Sequence, residues 1–97
     1  MTVMRFERRD MTNHMVAEGH AGEGENIYCA AVSAMCSALV TALGREDLMS
    51  PPRVVTGSGY MAVSAMRTPR TDAMFDMLRA GCEAMSTKWP DRVKVEK

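Results

Sequence analysis

The spacing of apolar residues changes along this chain, from every second residue to every third or fourth. In "TVMRFER", Met4 and Phe6 lie on one side of an alternating pattern and mostly charged residues on the other. This pattern is typical of a strand that is buried on one face. "HMVAEGHA" predicts a second strand, and the turn residues of "RDMTN" predict a hairpin between the two. Such a hairpin requires other elements to cover its apolar face.

Farther along the chain, apolar residues recur twice at the spacing of a helix that is apolar on one face. The first predicted apolar helix face consists of Ala31, Met35, Ala38, Leu39 and Ala42. The second consists of Met74, Met77, Leu78, Gly81 and Met85. Asn26 and Thr71 have side chains suited to N-caps of these helices. Gly44 is suited to ending the first helix after Leu43.

Further short strands complete the predicted fold. "PPRVVTGSGYMAVSAM" predicts strands at 53–56 and 60–66, joined at "GSG". In the closing segment "WPDRVKVEK", Val93 and Val95 share one face of a short strand. The predicted order is therefore β-β-α-β-β-α-β, an α+β fold in which two helices pack on one face of one mixed sheet. At 97 residues, we expect residues 1–97 to form a single domain.

Charge and hydropathy exclude several classes of function. Lys and Arg together number 12, as do Asp and Glu, so the chain lacks the basic excess that direct nucleic-acid binding requires. No apolar run is long enough to span a membrane. The segment "MTVMRFERRD" also lacks the apolar core of a signal peptide. We therefore expect a cytoplasmic protein with no membrane partner.

The cysteines favour free thiols over disulfides or a metal site. Three cysteines, an odd count, occur at Cys29, Cys36 and Cys82. Even together with His14 and His20, their spacing does not match that of a structural zinc site, which needs four closely spaced ligands. We predict no metal and no cofactor. Cys36 and Cys82 are interpreted as structural, since Cys82 lies on an apolar helix face.

Residues 19–35, "GHAGEGENIYCAAVSAM", place a histidine shortly before a cysteine. If Asn26 caps the helix, Cys29 is its third residue and lies beside unpaired backbone N–H groups and the positive end of the helix dipole. That environment favours the thiolate form of a cysteine. Ala30 leaves room for a substrate to approach, and the same N–H groups are suited to binding an oxyanion.

His20 is the nearest candidate for a general base. The predicted mobile loop "GEGEN" contains Gly22 and Gly24, which permit the tight path needed to return His20 to Cys29. An ordinary interpretation competes with catalysis, because a cysteine in an Ala-rich helix is most often a small buried hydrophobic residue. Composition and spacing alone leave both interpretations open.

The same stretch resembles the signature of the ribosomal-processing cysteine protease (Prp) family. That signature has Gly-His-Ala, a variable glycine-containing loop, and then Gly-x-Asp-Ile-Val-Cys-Ala-Ala-Val-Ser. The rest of the chain is similar more loosely, and "WPDRVKV" resembles the aromatic-Pro-x-x-Val end of the family. The similarity follows the whole chain in order, but only residues 19–35 match the family specifically.

The resemblance implies a homodimeric cysteine endopeptidase that needs no metal. Members of the family remove a short N-terminal extension from a large-subunit ribosomal protein, number twenty-seven in its series, at a hydrophobic motif ending in aromatic-Ala. By position, Cys29 corresponds to the nucleophile and His20 to the general base. Ser33 matches a serine of the family and either orients the site or bonds the carbonyl one turn back.

The chain also departs from the family pattern. Its loop between His20 and Cys29 is a few residues shorter than usual, which bears on gating and specificity. Asn26 replaces an Asp, and Asn is able either to cap the helix or to orient the histidine. Tyr28 replaces a Val, and we expect its ring to face the loop without a catalytic role.

Three alternatives to ribosomal-protein processing stay open on the sequence. Similar proteases in prophages act on capsid or scaffold proteins. A non-catalytic module of the same fold would instead pair its sheet edge with an extended peptide. A low-pKa Cys29 would also suit a redox sensor, although Cys36 is too far along the helix to form a disulfide with it.

If Met4, Phe6 and Val63 form the uncovered sheet face, a second copy of the chain is expected to bind there.

Overall fold

The computed structural model describes residues 1–19 and 27–96. Its elements are β1 (Thr2–Arg8), β2 (Thr12–Glu18), α1 (Ile27–Leu43), β3 (Arg53–Gly57), β4 (Tyr60–Met66), α2 (Pro69–Lys88) and β5 (Val93–Glu96). This order and the α+β class are those predicted from the sequence. Within the described part of the chain, no helix is both long enough and apolar enough to cross a membrane.

The strands form one mixed sheet in the order β3-β4-β2-β1-β5. The neighbouring pairs are antiparallel except β1 and β5, which are parallel. A parallel pair requires a crossover. Here α2 supplies it, because it leads from β4 on one side of the central hairpin to β5 on the other.

The register of the strands collects apolar side chains on one face. Phe6 lies opposite Met15, and Met15 in turn lies opposite Val63 on β4. The buried hydrophobic residues are Met4, Met15, Ala17, Val32, Cys36, Leu39, Leu43, Val63, Ala65, Phe75, Leu78, Cys82, Met85 and Val93. Both helices contribute to this one core, so both pack on the same face of the sheet. This confirms the predicted arrangement.

The location of the uncovered face corrects one expectation. Met4 and Val63 are fully buried beneath the helices, and Phe6 packs against the same core. They therefore do not form the uncovered sheet face, so the condition under which a second copy was expected to bind there is not met. Alternation along a strand shows which residues share a face, but the helices decide which face is covered.

The opposite face mixes charge with partly buried apolar residues. Arg5 on β1 pairs with Glu18 on β2 and, with an N–O distance of 3.5 Å, with Glu96 on β5. Val16 and Ala62 lie beside each other in the register and are half-buried. Cross-strand ion pairs of this kind are compatible with a solvated sheet face.

The helices present a different side to the core from the one the periodicity predicted. In α1 the buried residues are Val32, Cys36, Leu39 and Leu43, and in α2 they are Thr71, Phe75, Leu78, Cys82 and Met85. Predicted face residues such as Ala38 and Met77 are exposed, Met77 to 79%. Both predicted faces are thus rotated by about one residue. Apolar residues occupy more than one side of each helix, so the spacing did not select a unique buried stripe.

Most residues of the two predicted helix faces border a groove between α1 and α2. Its volume is ≈ 380 Å³, and it is lined by Met35, Ala38, Leu39, Ala42, Met74, Met77, Leu78 and Gly81. The helices approach closely there, because a Cβ on Gly81 would lie 2.8 Å from the Sδ atom of Met35. The predicted apolar faces therefore lie partly along this groove between the helices, while Leu39, Leu78 and Met85 still reach the core.

The ends of the helices confirm one prediction and correct another. α1 ends at Leu43, as expected, and the N–H of Gly44 donates to the Val40 carbonyl at 3.0 Å. The N-cap of α2 is Thr68 and not Thr71. The Thr71 N–H donates to Thr68 Oγ1 at 3.0 Å, and the Thr68 N–H donates to Thr71 Oγ1 at 2.8 Å. Pro69 follows as the first helical residue, a position in which its missing N–H costs nothing.

Candidate active site

The start of α1 places Cys29 as the sequence predicted. The helix begins at Ile27, so Cys29 is its third residue. The first N–H groups of a helix have no partner within the helix. No acidic residue occupies the first turn of α1, so no carboxylate there offsets the positive end of the helix dipole. These are the conditions under which a cysteine thiolate is stabilised.

The residue that precedes His20 is held in place by two neighbouring segments. Gly19 has φ of 88°, and its N–H donates to the Gly59 carbonyl at 2.7 Å. A Cβ at this position would lie only 2.5 Å from the carbonyl oxygen of Met1. Both the backbone conformation and the space therefore require glycine here. Met1, just before β1, and the β3–β4 turn therefore fix the position of Gly19, the last described residue before segment 20–26.

Several residues of the predicted site lie outside the described residues. They are His20, Gly22, Gly24 and Asn26, and the description of Cys29 does not extend to its side chain. The catalytic roles of His20 and Cys29 and the capping or orienting role of Asn26 thus stay predictions. The structure describes what flanks them, namely Gly19 on one side and α1 on the other.

A cleft of ≈ 260 Å³ lies between these flanks. Its lining residues are Thr2, Ala17, Gly19, Val32, Ser33, Cys36, Thr56, Gly57, Gly59, Tyr60 and Met61. Ser33 is exposed and lines the cleft one turn after Cys29, so this predicted supporting residue lies at the candidate site. Ala30 is exposed on the first turn of α1 but does not line the cleft.

The second cysteine of α1 is chemically unsuited to nucleophilic attack. Cys36 lies at the inner side of the cleft and is 2% exposed. Burial raises its pKa to about 11. Burial likewise raises the pKa of Cys82 to about 12. Both thiols are protonated at neutral pH, which confirms their interpretation as structural residues.

An aromatic contact fastens the start of α1 to the end of α2. The ring of Tyr28 meets that of Trp89 edge to face, with centroids 5.2 Å apart and an interplanar angle of 61°. The guanidinium carbon of Arg92 lies 5.6 Å from the centroid of the Tyr28 ring. Such contacts hold aromatic rings in a defined orientation. Sequence reasoning missed Trp89, since nothing local to residue 28 indicates a partner so distant in the chain.

Thr2 is a cleft residue that sequence reasoning also missed. It is 3% exposed and lies on the same side of β1 as Met4. A signal was present in the sequence, because a hydroxyl in the buried phase of an alternating strand is an exception to the pattern. Among the carboxyl groups of the described residues, by contrast, the one with the largest pKa shift lies at the other end of the sheet. There Arg67 and Asn13 hold the pKa of Asp72 at about 2 by hydrogen bonds.

Among the described residues, no three His, Cys, Asp or Glu side chains are grouped so as to hold a metal ion. A cysteine in the first turn of a helix, a serine one turn later and an apolar cleft are among the parts that acyl transfer to cysteine uses.

Comparison with known proteins supports this interpretation. A family model described as "Cysteine protease Prp" matches residues 1–94. A solved structure of SMU.848 from Streptococcus mutans is 26% identical, with a TM-score of 0.81 and coverage of 99% of this chain and 92% of that one. The fold is also that of the essential ribosomal processing protease Prp from S. aureus, solved with a covalently linked product peptide. That chain is 15% identical, with a TM-score of 0.83 and coverage of 99% and 98%.

A search of curated proteins found no significant match to this chain. The family match, however, spans nearly the whole chain and includes both flanks of the candidate site. The predicted resemblance is therefore confirmed, and this protein belongs to the cysteine protease Prp family.

Proposed function

We propose that this cysteine protease removes a short N-terminal extension from a large-subunit ribosomal protein, with Cys29 as nucleophile and His20 as general base. The observation that carries the proposal is the position of Cys29, which is the third residue of α1 and lies one turn before Ser33, a residue that lines the cleft. The fold shared with the S. aureus ribosomal processing protease supports the substrate class. Residues 1–97 would act as one protease domain.

The proposed reaction proceeds in two steps. His20 accepts the thiol proton of Cys29, and the sulfur attacks the carbonyl carbon of the scissile peptide bond. Backbone N–H groups at the start of α1 stabilise the oxyanion that forms. The tetrahedral intermediate expels the new amine, which takes the proton from the imidazolium of His20. Water, deprotonated by His20, then hydrolyses the thioester and restores the thiol.

The cleft is suited to binding an extended hydrophobic motif. Ala17, Val32 and Met61 give it an apolar lining. The exposed rim residues Thr56 and Gly57 belong to the edge strand β3. A substrate segment with an apolar side chain would bury that side chain here, next to the start of α1. Ala30, small and exposed, leaves the approach to Cys29 open.

We also infer that the protease is cytoplasmic and acts as a homodimer, as the family resemblance implies. Light scattering at micromolar concentration should give the mass of two chains, and a monomer would contradict this inference. Asn26 is assigned chiefly to capping α1, because the residue before the first helical position is where a capping side chain is needed.

Peptide cleavage tests the proposal directly. Peptides spanning the N-terminal extension of the ribosomal protein would be incubated with the protein, and products identified by mass spectrometry. We expect cleavage by the wild type and none by Cys29→Ala or His20→Ala, with Cys36→Ala as the matched cysteine control. Cleavage of a phage capsid or scaffold peptide instead would reassign the substrate. Binding of peptide without cleavage would favour the non-catalytic module of the same fold.

A further inference from the structure

Thr2 carries a buried hydroxyl that has no hydrogen-bond partner in the part of the chain that the structure describes. It is the first residue of β1 and is 3% exposed. Its backbone is satisfied, because its N–H donates to the Arg92 carbonyl at 2.9 Å and the residue pairs with Val93 on β5. Its Oγ1 atom, however, is buried and has no hydrogen-bond partner in the structure of residues 1–19 and 27–96.

Such a hydroxyl is not explained by folding. A buried polar atom without a partner loses its hydrogen bonds to water and gains nothing in exchange. Valine has the same shape as threonine and would fill the position without that loss. Its neighbour on the same face of β1, Met4, is fully buried, so the position itself is apolar. Buried polar groups without a partner call for a reason outside the packing of the core.

The position of Thr2 supplies that reason. It lines the cleft together with Gly19, which precedes His20, and Ser33, one turn beyond Cys29. The other cleft residues around it, Ala17 and Met61 among them, are apolar. Rotation about χ1 moves the hydroxyl of a threonine from one staggered position to another, so a bound molecule can draw it toward the cleft.

We propose that the Thr2 hydroxyl is a substrate-binding group that hydrogen-bonds a backbone amide of the peptide in the cleft. An extended peptide that enters an apolar cleft carries N–H and C=O groups that lose water there and need protein partners. A hydroxyl donates and accepts, so it can satisfy either group. The inference rests on the proposed protease function and adds a residue to its binding site.

The test replaces the hydroxyl without changing the shape of the side chain. Thr2→Val is expected to raise KM for the cleaved peptide by about three- to tenfold, the range of one hydrogen bond. The melting temperature should stay the same or rise, because the unpartnered atom is gone. Thr2→Ser keeps the hydroxyl and should restore most of the affinity. Thr12→Val, at the far end of β2, is the matched control and should leave KM unchanged.

The possible outcomes separate this inference from the protease function. Cleavage by Thr2→Val with the KM of the wild type would overturn the role of Thr2 and leave the protease intact. A lower melting temperature in Thr2→Val would show a structural role and overturn it too. If the wild type cleaves nothing, peptide affinity is compared between Cys29→Ala and Cys29→Ala with Thr2→Val. Weaker binding in the double variant supports Thr2 even then, and equal or absent binding refutes it.

Discussion

Cys29 and Cys36 belong to the same helix but differ in their surroundings. Cys36 lies on the buried face of α1, and burial raises the pKa of its thiol to about 11. Cys29 is the third residue, beside the unpaired N–H groups at the helix start. Burial thus raises the pKa of a thiol in the middle of α1, whereas a helix start is the kind of position at which a thiol pKa is expected to be lowered.

This contrast predicts selective alkylation. Cys29 should react with iodoacetamide as a thiolate well below the ordinary thiol pKa of about 8.5, and His20→Ala should shift that reaction to higher pH. Cys36 and Cys82, whose pKa values are raised by burial, should stay unmodified in the native protein. Peptide mass spectrometry reads each cysteine separately. An ordinary titration of Cys29 in both proteins would contradict an assembled Cys-His pair.

Gly19 illustrates a backbone requirement next to the site. Gly19→Ala would strain a residue with φ of 88° and press its Cβ on the Met1 carbonyl. We expect a loss of about 1–3 kcal/mol in the free energy of unfolding and a lower kcat, since the path to His20 moves. Urea unfolding and peptide cleavage measure the two effects. Gly44→Ala is the control, because a Cβ there meets nothing closer than 3.5 Å and stability should hold.

At the scale of elements, a contact between the start of α1 and the end of α2 links the two helices beside the candidate site. The start of α1 carries Tyr28, and Trp89 is the C-cap residue of α2. Their edge-to-face contact joins the helix that carries Cys29 to the element that leads into β5. The first turn of a helix frays most easily, so a contact there bears directly on the position of Cys29.

Removal of this contact should loosen the first turn of α1. Trp89→Ala is expected to destabilise the protein by about 1 kcal/mol and to raise the pH at which Cys29 becomes reactive, because a frayed turn presents its N–H groups less well. Tyr28→Phe, which keeps the ring, is the matched control and should behave as the wild type. Unchanged Cys29 reactivity in Trp89→Ala would separate the aromatic pair from the site.

At the scale of the whole molecule, one carboxylate connects both layers at the end of the sheet away from the cleft. Asp72, near the start of α2, accepts from Arg67 Nη2 at 2.9 Å and from Asn13 Nδ2 on β2 at 2.8 Å. Asn13 is buried and also accepts from Arg8 Nε on β1 at 2.6 Å. The helix layer is thereby tied to the central hairpin through polar contacts.

This network predicts a loss of stability in acid. The pKa of Asp72 falls from 3.8 to about 2 on folding, so the unfolded chain binds the proton more tightly. The stabilisation is therefore complete above about pH 5 and is lost as the pH falls towards 2. Urea unfolding should show Asp72→Asn less stable than the wild type at pH 7, with the gap closing near pH 2. A gap that is constant with pH would refute the ionic contribution.

Local patterns account for the order of elements, the strand faces of the hairpin, the end of α1 at Leu43 and the position of Cys29 within it. Alternation, helical spacing and caps are properties of neighbouring residues, so they can be read without a fold. The resemblance that identified the family also lies in one contiguous stretch, residues 19–35.

Contacts between distant segments settled the rest. Burial of Met4 and Val63 under the helices, the rotation of both helix faces and the Tyr28–Trp89 pair depend on residues far apart in the chain. The cleft joins strand, turn and helix residues from Thr2 to Met61, so no local pattern predicts it. Periodicity restricts which side chains share a face, whereas burial depends on which elements the chain brings together.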